Sequence, residues 1–175
     1  GTVGLEIMEQ WPEVEAILVP IGGGGLIAGT AVAAKTINPQ VQIIGVQTEA
    51  SPSAYLSLKE GRCYERYDAA PTIAEGLAGG FGMVPFTIAR DLIDEVILVS
   101  EEEIYEAVSF LLQAAQMVVE GSGAVGVAAL LSGKADLKGR KVAVILSGGN
   151  IDIELLSRIM GIRKVWQISK VREGR

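Results

Sequence analysis

The chain has 175 residues, a hydrophobic content of 49% and a formal net charge of −6. This length and composition favour a folded domain over a disordered chain, and the acidic balance argues against nucleic acid or an anionic membrane as a partner. Histidine is absent, which excludes a Ser-His-Asp triad and a histidine-ligated metal within the chain. Cys63 is alone, so it forms no internal disulfide; we interpret it as structural and expect a reducing cytoplasm.

Patterns typical of strands and helices alternate along the chain. The predicted strands are 16–19, 41–47, 95–99 and 141–146. The predicted helices are 2–10, 26–37, 52–60, 85–93, 101–119, 122–132 and 151–160. Strands that are nearly continuous in apolar residues and separated by helices predict an α/β fold, with a mostly parallel sheet and helices on both faces. Residues 61–83, rich in glycine and turn residues, are expected to form an irregular substrate-facing or lid loop.

A possible membrane span lies at residues 16–34, which carry no charge. Pro20 and the four glycines that follow it would break the helix that a span requires. The two halves of the stretch also have separate strand and helix patterns. We therefore predict no membrane span here.

The most informative motif is the run of four glycines, Gly22 to Gly25, between the first strand and the helix that begins near Leu26. Glycines leave room for several backbone N–H groups to face one anion, and the positive end of the helix dipole lies behind it. The motif predicts a phosphate-binding loop. A tight structural turn is the alternative.

The kind of phosphate follows from what surrounds the loop. A dinucleotide motif is approximated only by Gly24 to Gly29, with Glu49 as the acidic residue expected further on. No lysine follows the glycines, so a triphosphate-binding P-loop is excluded. A compact monophosphate fits backbone donors without a cation best.

A second turn, Ser147-Gly148-Gly149-Asn150, follows the last predicted strand. The carboxyl ends of parallel strands meet at one edge of a sheet, so this turn is expected to lie near the glycine loop. We expect the Ser147 hydroxyl to point into a largely apolar pocket, where it could donate a hydrogen bond to a heteroaromatic nitrogen without readily protonating it. A phosphate site and a ring-nitrogen site together suit pyridoxal phosphate.

The acidic run Ser100-Glu101-Glu102-Glu103 has a structural explanation. Ser100 and Glu103 have the spacing of a capping box, and acidic residues in a first turn favour the helix dipole. No catalytic role is therefore assigned to this run.

With these motifs in place, the chain resembles the pyridoxal-phosphate-dependent serine/threonine dehydratases (threonine ammonia-lyases) of the tryptophan-synthase-β-like fold, PLP fold type II. The resemblance covers residues 1–160, in family order and spacing. The matching segments are 1–7, 20–29, 44–49, 72–76, 119–124 and 146–150. It implies that residues 1–160 are part of the large cofactor-binding domain, whose upstream small domain is absent, and that the basic segment 161–175 is a linker or the start of a regulatory domain.

The resemblance also implies roles for individual residues. The cofactor phosphate would be bound by the backbone of Gly22, Gly23, Gly24, Gly25 and Leu26. The pyridine ring would lie against Ser147, Gly148 and Glu120. The substrate side would be bordered by Glu75 and Gly76. Glu49 is a weak candidate for one carboxylate of a cation site, since the second carboxylate position falls on Tyr55.

The Schiff-base lysine of the family, in its Ser-x-Lys-x-Arg-Gly context, has no counterpart here. All seven lysines are interpreted as solvated surface charges: 35, 59, 134, 138, 141, 164 and 170. The lysine and the substrate-carboxylate loop are expected upstream of Gly1, so this chain by itself is expected to be inactive.

For the intact enzyme, the resemblance implies dehydration and deamination of L-threonine, with L-serine as a second substrate, giving 2-oxobutanoate and ammonia from threonine. The expected partners are a small amino-acid substrate, the missing amino-terminal part and further copies of the chain in a homo-oligomer. Two alternatives stay open: a serine racemase of the same family, and a non-catalytic module that binds a phosphate ligand.

Overall fold

A computed structural model describes residues 1–161 and shows a four-stranded sheet between helices. The strands are β1 (Ala16–Pro20), β2 (Gln42–Thr48), β3 (Glu95–Val99) and β4 (Val142–Val144). The helices are α1 (Thr2–Gln10), α2 (Gly25–Ile37), α3 (Ser53–Glu60), α4 (Met83–Ala89), α5 (Glu101–Ala114), α6 (Gly121–Leu131) and α7 (Ile153–Ile159), with one 3₁₀ turn at Glu75–Leu77.

The strand order is β3-β2-β1-β4, and each neighbouring pair is parallel. Within the described residues β1 and β2 are therefore central, while β3 and β4 form the edges. The expected parallel α/β arrangement is confirmed, and the carboxyl ends of all four strands lie at the same edge of the sheet.

Alternate residues of the central strands supply two separate cores. Leu18 and Ile44 pack on one face with apolar residues of α5 and α6. Ile17 and Ile43 pack on the other face with residues of α1, α2 and α4. All five residues of β1 are buried, which explains why this strand is a continuous apolar run in the sequence.

Two predicted helices end earlier than expected, and the last predicted strand is shorter than expected. The helix expected over 101–119 ends at Ala114, because Gln116 adopts a left-handed conformation (φ 55°) and the Met117 N–H turns back to the Leu111 carbonyl at 3.0 Å. The last strand is short and only partly buried, because β4 lies at the edge of the described sheet. The helix expected over 85–93 lies at Met83–Ala89, because the N–H groups of Leu92 and Ile93 both turn back to the Ala89 carbonyl. The other elements lie within two residues of their predicted bounds.

The prediction for the basic segment 161–175 falls almost wholly outside the described residues, which end at Gly161. Among the residues that the structure does describe, no helix is both long enough and apolar enough to span a membrane.

Candidate cofactor site

The glycine loop and the Ser147 turn leave the same edge of the sheet from neighbouring strands. β1 and β4 pair directly, with Leu18 opposite Val144, and the ladder continues through a hydrogen bond of 3.1 Å from the Ile145 N–H to the Leu18 carbonyl. Since neighbouring strands lie about 5 Å apart, the two turns begin side by side. The predicted proximity of these motifs is confirmed.

The glycine loop presents a row of unused hydrogen-bond donors. Over residues 22–26, no backbone N–H donates a hydrogen bond to any residue that the structure describes. The first helical bond of α2 is made only by Ala28, to the Gly24 carbonyl at 3.0 Å. Backbone N–H groups left free at the start of a 13-residue helix form a potential anion site.

The four glycines divide into two kinds. Gly24 is left-handed (φ 93°), and a Cβ there would lie 2.1 Å from the Phe81 ring, while a Cβ at Gly22 would lie 2.7 Å from the Gly76 carbonyl oxygen. Packing and conformation therefore explain these two. At Gly23 and Gly25 φ is not left-handed, and a Cβ would meet nothing within 4 Å. These two glycines keep an open cradle that methyl groups would fill, which fits a bound phosphate.

A cavity of about 490 Å³ lies beside the loop. It is lined by residues of the 3₁₀ turn, the α6 N-terminus and the segment before α7, among them Glu75, Gly76, Glu120, Ser122 and Asn150. The predicted substrate-side residues Glu75 and Gly76 thus share this cavity with Glu120, whereas the other two predicted ring-side residues, Ser147 and Gly148, do not line it. The Gly76 carbonyl, packed against Gly22, connects this cavity to the glycine loop.

Glu120 organises the wall of the cavity next to the Ser147 turn. Its Oε2 accepts a hydrogen bond of 3.0 Å from the Asn150 N–H, and its own N–H donates to the Gly148 carbonyl at 3.1 Å. A Cβ on Gly148 would lie 2.7 Å from Glu120 Oε1, so a side chain there would displace the Glu120 carboxylate from its present position. Glu120 therefore sets the path of the backbone that follows Ser147.

Ser147 itself is exposed, and its hydroxyl forms no hydrogen bond within the described chain. The expectation of a largely apolar pocket around it is wrong for this structure, because the edge strand β4 leaves the turn open to solvent. The hydroxyl is consequently free to donate to a ligand.

Lys35 contradicts the interpretation of all lysines as solvated surface charges, whereas Lys134 is exposed but hydrogen-bonded. Lys35 binds both carboxylate oxygens of Asp94 at 2.9 and 2.8 Å, with its side chain only 16% exposed. Lys134 donates to Glu49, Glu103 and the Leu98 carbonyl. Burial opposes the charge of Lys134, but its hydrogen bonds to Glu103 and Glu49 outweigh burial and raise its pKa. No lysine of the described chain lines the cavity.

The proposed cation site at Glu49 has a protein partner already. The Glu49 carboxylate lies 3.1 Å from the ammonium group of Lys134, so a metal would compete with a cation of the chain itself. No group of three or more histidine, cysteine or acidic side chains arranged to hold a metal is found within residues 1–161.

Cys63 behaves as a structural residue. Its thiol donates to the Phe81 carbonyl at 3.0 Å, and burial, with a contribution from Glu65, raises its pKa. A raised pKa disfavours the nucleophilic thiolate at neutral pH.

The irregular segment 61–83 is held in place at several points. Ser51 is bonded to both backbone groups of Gly79, the Ala70 N–H donates to the Ala50 carbonyl, and the Gly76 N–H donates to Ser122 Oγ at 2.9 Å. These ties favour a fixed substrate-facing wall over a lid.

Two residues without an assigned role prove to be important for this wall. Ser122, buried at the start of α6, anchors Gly76, and Glu101 binds residues 72 and 73. The sequence offered one signal for the role of Ser122: it lies two residues after Glu120, at the start of a predicted helix. Glu101 gave no separate signal, because it lies between Ser100 and Glu103, whose capping box the structure confirms.

Comparison with known proteins agrees with the fold. The chain is 53% identical over 161 residues to an L-threonine ammonia-lyase of Thermotoga maritima, covering 91% of this chain and 40% of that protein. It superposes on a threonine deaminase from T.th. with a TM-score of 0.81 and 38% identity, covering 87% of this chain and 52% of that one. It superposes on maize serine racemase with a TM-score of 0.83 and 38% identity, covering 91% and 52%.

The chain therefore spans about half or less of the length of these relatives. Residues 1–148 match the family model described as pyridoxal-phosphate dependent enzyme. With most of its length matched and a fold shared with two solved enzymes of fold type II, the chain belongs to the pyridoxal-phosphate dependent enzyme family.

Proposed function

We propose that this chain is the phosphate- and ring-binding part of a threonine ammonia-lyase that also accepts L-serine. The observation that carries the proposal is the open cradle at Gly23 and Gly25, with its unbonded N–H groups, next to the Ser147 turn. The threonine ammonia-lyase of Thermotoga maritima and the T.th. threonine deaminase supply the substrate class.

In this proposal, the N–H groups of residues 22–26 hold the cofactor phosphate, aided by the α2 dipole. The free Ser147 hydroxyl donates a hydrogen bond to the ring nitrogen. A hydroxyl leaves this nitrogen unprotonated, whereas a carboxylate in its place would keep the nitrogen protonated and charged. Glu120 lies beside the ring, and Glu75 and Gly76 border the substrate. When bound, pyridoxal phosphate withdraws electrons from the α-carbon of the substrate and thereby eases loss of its α-proton and β-hydroxyl.

The residues that complete the site are proposed to come from outside this chain. The lysines of the described part either pair with carboxylates or lie away from the cavity, and the relatives are about twice as long. A purified 175-residue chain is therefore expected to release no oxo acid from threonine. We further propose a cytoplasmic homo-oligomer for the whole protein.

The full-length protein tests the proposal directly. With pyridoxal phosphate and L-threonine, it should release 2-oxobutanoate and ammonia in equal amounts. A full-length protein that binds the cofactor but releases no oxo acid would contradict the activity. A protein that binds inorganic phosphate but not the cofactor would instead support a non-catalytic module.

Serine racemase activity is a second candidate, because the chain is as similar to the maize serine racemase as to the threonine deaminase, with 38% identity in each case. Incubation with L-serine separates the two reactions. Chiral chromatography would detect D-serine from a racemase, whereas ammonia and pyruvate would mark a dehydratase.

A further inference from the structure

Residues 72–77 form one wall of the cavity, and a single carboxylate on another element binds the first two of them. Glu101, the first residue of α5, accepts hydrogen bonds from Thr72 Oγ1 at 2.5 Å and from the Ile73 N–H at 2.8 Å. It also accepts from Thr48 Oγ1, at the end of β2, at 3.1 Å. One side chain thus joins the start of α5, the end of a central strand and the segment that leads into the 3₁₀ turn.

The chemistry of these contacts requires an acceptor with several lone pairs. The Thr72 hydroxyl oxygen accepts from the Ala74 N–H at 3.0 Å, and the Thr48 hydroxyl oxygen accepts from the Ala50 N–H at 3.2 Å. Each hydroxyl can therefore give its hydrogen to Glu101. An ionised carboxylate accepts all three donors, whereas an amide has only one acceptor oxygen.

Glu101 is also not engaged with a basic side chain. Within residues 1–161 the ion pairs involve other carboxylates, and the charge of Glu101 is satisfied by hydrogen bonds and by its place at the α5 N-terminus. Its neighbour Glu102 shares the helix end but is exposed, and the hydrogen bonds to residues 72 and 73 involve Glu101 alone among the acidic residues of this turn.

We infer that Glu101 is a positioning residue for the substrate side of the site, an inference that rests on the proposed function. It acts through Thr72 and Ile73, which lead directly into the turn that carries Glu75 and Gly76 to the cavity. Ser122 fixes the other end of this short span through the Gly76 N–H. Without Glu101, residues 72 and 73 would lose these two hydrogen bonds, and the nearest remaining bonds of the segment to other elements would be those of Ala70 and Gly76.

The test uses the full-length enzyme with Glu101→Ala, Glu101→Gln and the matched control Glu102→Ala. Since a hydrogen bond to a charged group typically contributes about tenfold to an equilibrium, Glu101→Ala should raise KM for L-threonine about tenfold while kcat changes much less. Glu101→Gln keeps the shape with one acceptor oxygen and should raise KM several-fold. Glu102→Ala should match the wild type.

Amide hydrogen exchange on the cofactor-free enzyme provides a readout independent of activity. In Glu101→Ala the Gly76 amide, which is bonded to Ser122 and not to Glu101, should exchange about tenfold faster than in the wild type, with distant core amides unchanged. This measurement remains valid even if the wild type fails to deaminate threonine, so failure of the proposed function is distinguishable.

Two results would overturn the role. The first is a Glu101→Ala enzyme that is less stable, shows faster amide exchange throughout the chain and keeps the wild-type KM. Glu101 would then have a structural role only. The second applies if Glu101→Ala does not fold: a Glu101→Gln enzyme with unchanged KM and unchanged Gly76 exchange would then refute the inference.

Discussion

The two turns of the candidate site are built in opposite ways. The glycine loop follows β1, whose residues are all buried, and is packed from behind by Phe81, Pro85 and Gly76. The Ser147 turn follows β4, a partly buried edge strand, and is shaped mainly by Glu120. A packed turn can preorganise backbone donors for a ligand. An exposed turn supplies a side chain whose final surroundings depend on the residues that complete the site.

The largest expected effect concerns the packed side of the loop. Gly24→Ala should destabilise the protein by about 2 to 4 kcal/mol, because it adds left-handed strain to a clash with the Phe81 ring. Urea unfolding of the full-length protein measures this. Gly61→Ala is the matched control, since Gly61 is left-handed (φ 67°) with nothing within 4 Å, and it should cost only about 1 kcal/mol. Equal losses would remove the packing explanation for Gly24.

The open side of the same loop should respond differently. Gly25→Ala places a methyl group in the cradle, so pyridoxal phosphate should bind about tenfold more weakly, as expected for overpacking. The free energy of unfolding of this variant should not fall, because alanine is more favourable than glycine in a helix by up to about 1 kcal/mol. Equilibrium dialysis and urea unfolding check the two parts. Unchanged cofactor affinity would contradict the assignment of this cradle to phosphate.

The exposed turn should loosen when its support is removed. Glu120→Ala deletes the acceptor of the Asn150 N–H, and the exchange of that amide should rise about fivefold, equivalent to about 1 kcal/mol for an exposed hydrogen bond. Glu120→Gln retains an acceptor oxygen and serves as the control. If both variants exchange alike and like the wild type, Glu120 does not shape this turn.

The smallest effect on the fold is expected at Ser147. Because its hydroxyl is exposed and unbonded, Ser147→Ala should change the free energy of unfolding by less than about 0.5 kcal/mol. Loss of one neutral hydrogen bond to the ring nitrogen should weaken cofactor binding about threefold. Unfolding curves and a cofactor titration by absorbance measure both. Wild-type affinity would leave Ser147 without its proposed partner.

Much of this protein is determined by local sequence. Buried strands such as β1 are recognisable because both of their faces are covered, so every residue must be apolar. The glycine loop is recognisable because only glycine tolerates the left-handed conformation at Gly24 beside an aromatic ring. The capping box of α5 is likewise a short-range pattern of hydrogen bonds.

Tertiary structure alone decided how distant residues share a site. Glu101 joins residues 29 and 53 positions away, and Gly76 is anchored by a serine 46 positions away. The early end of α5 and the exposure of Ser147 depend on where the chain must turn and which strand lies at the sheet edge. Such contacts join residues that are far apart in the sequence and have no regular spacing, so no local sequence pattern predicts them.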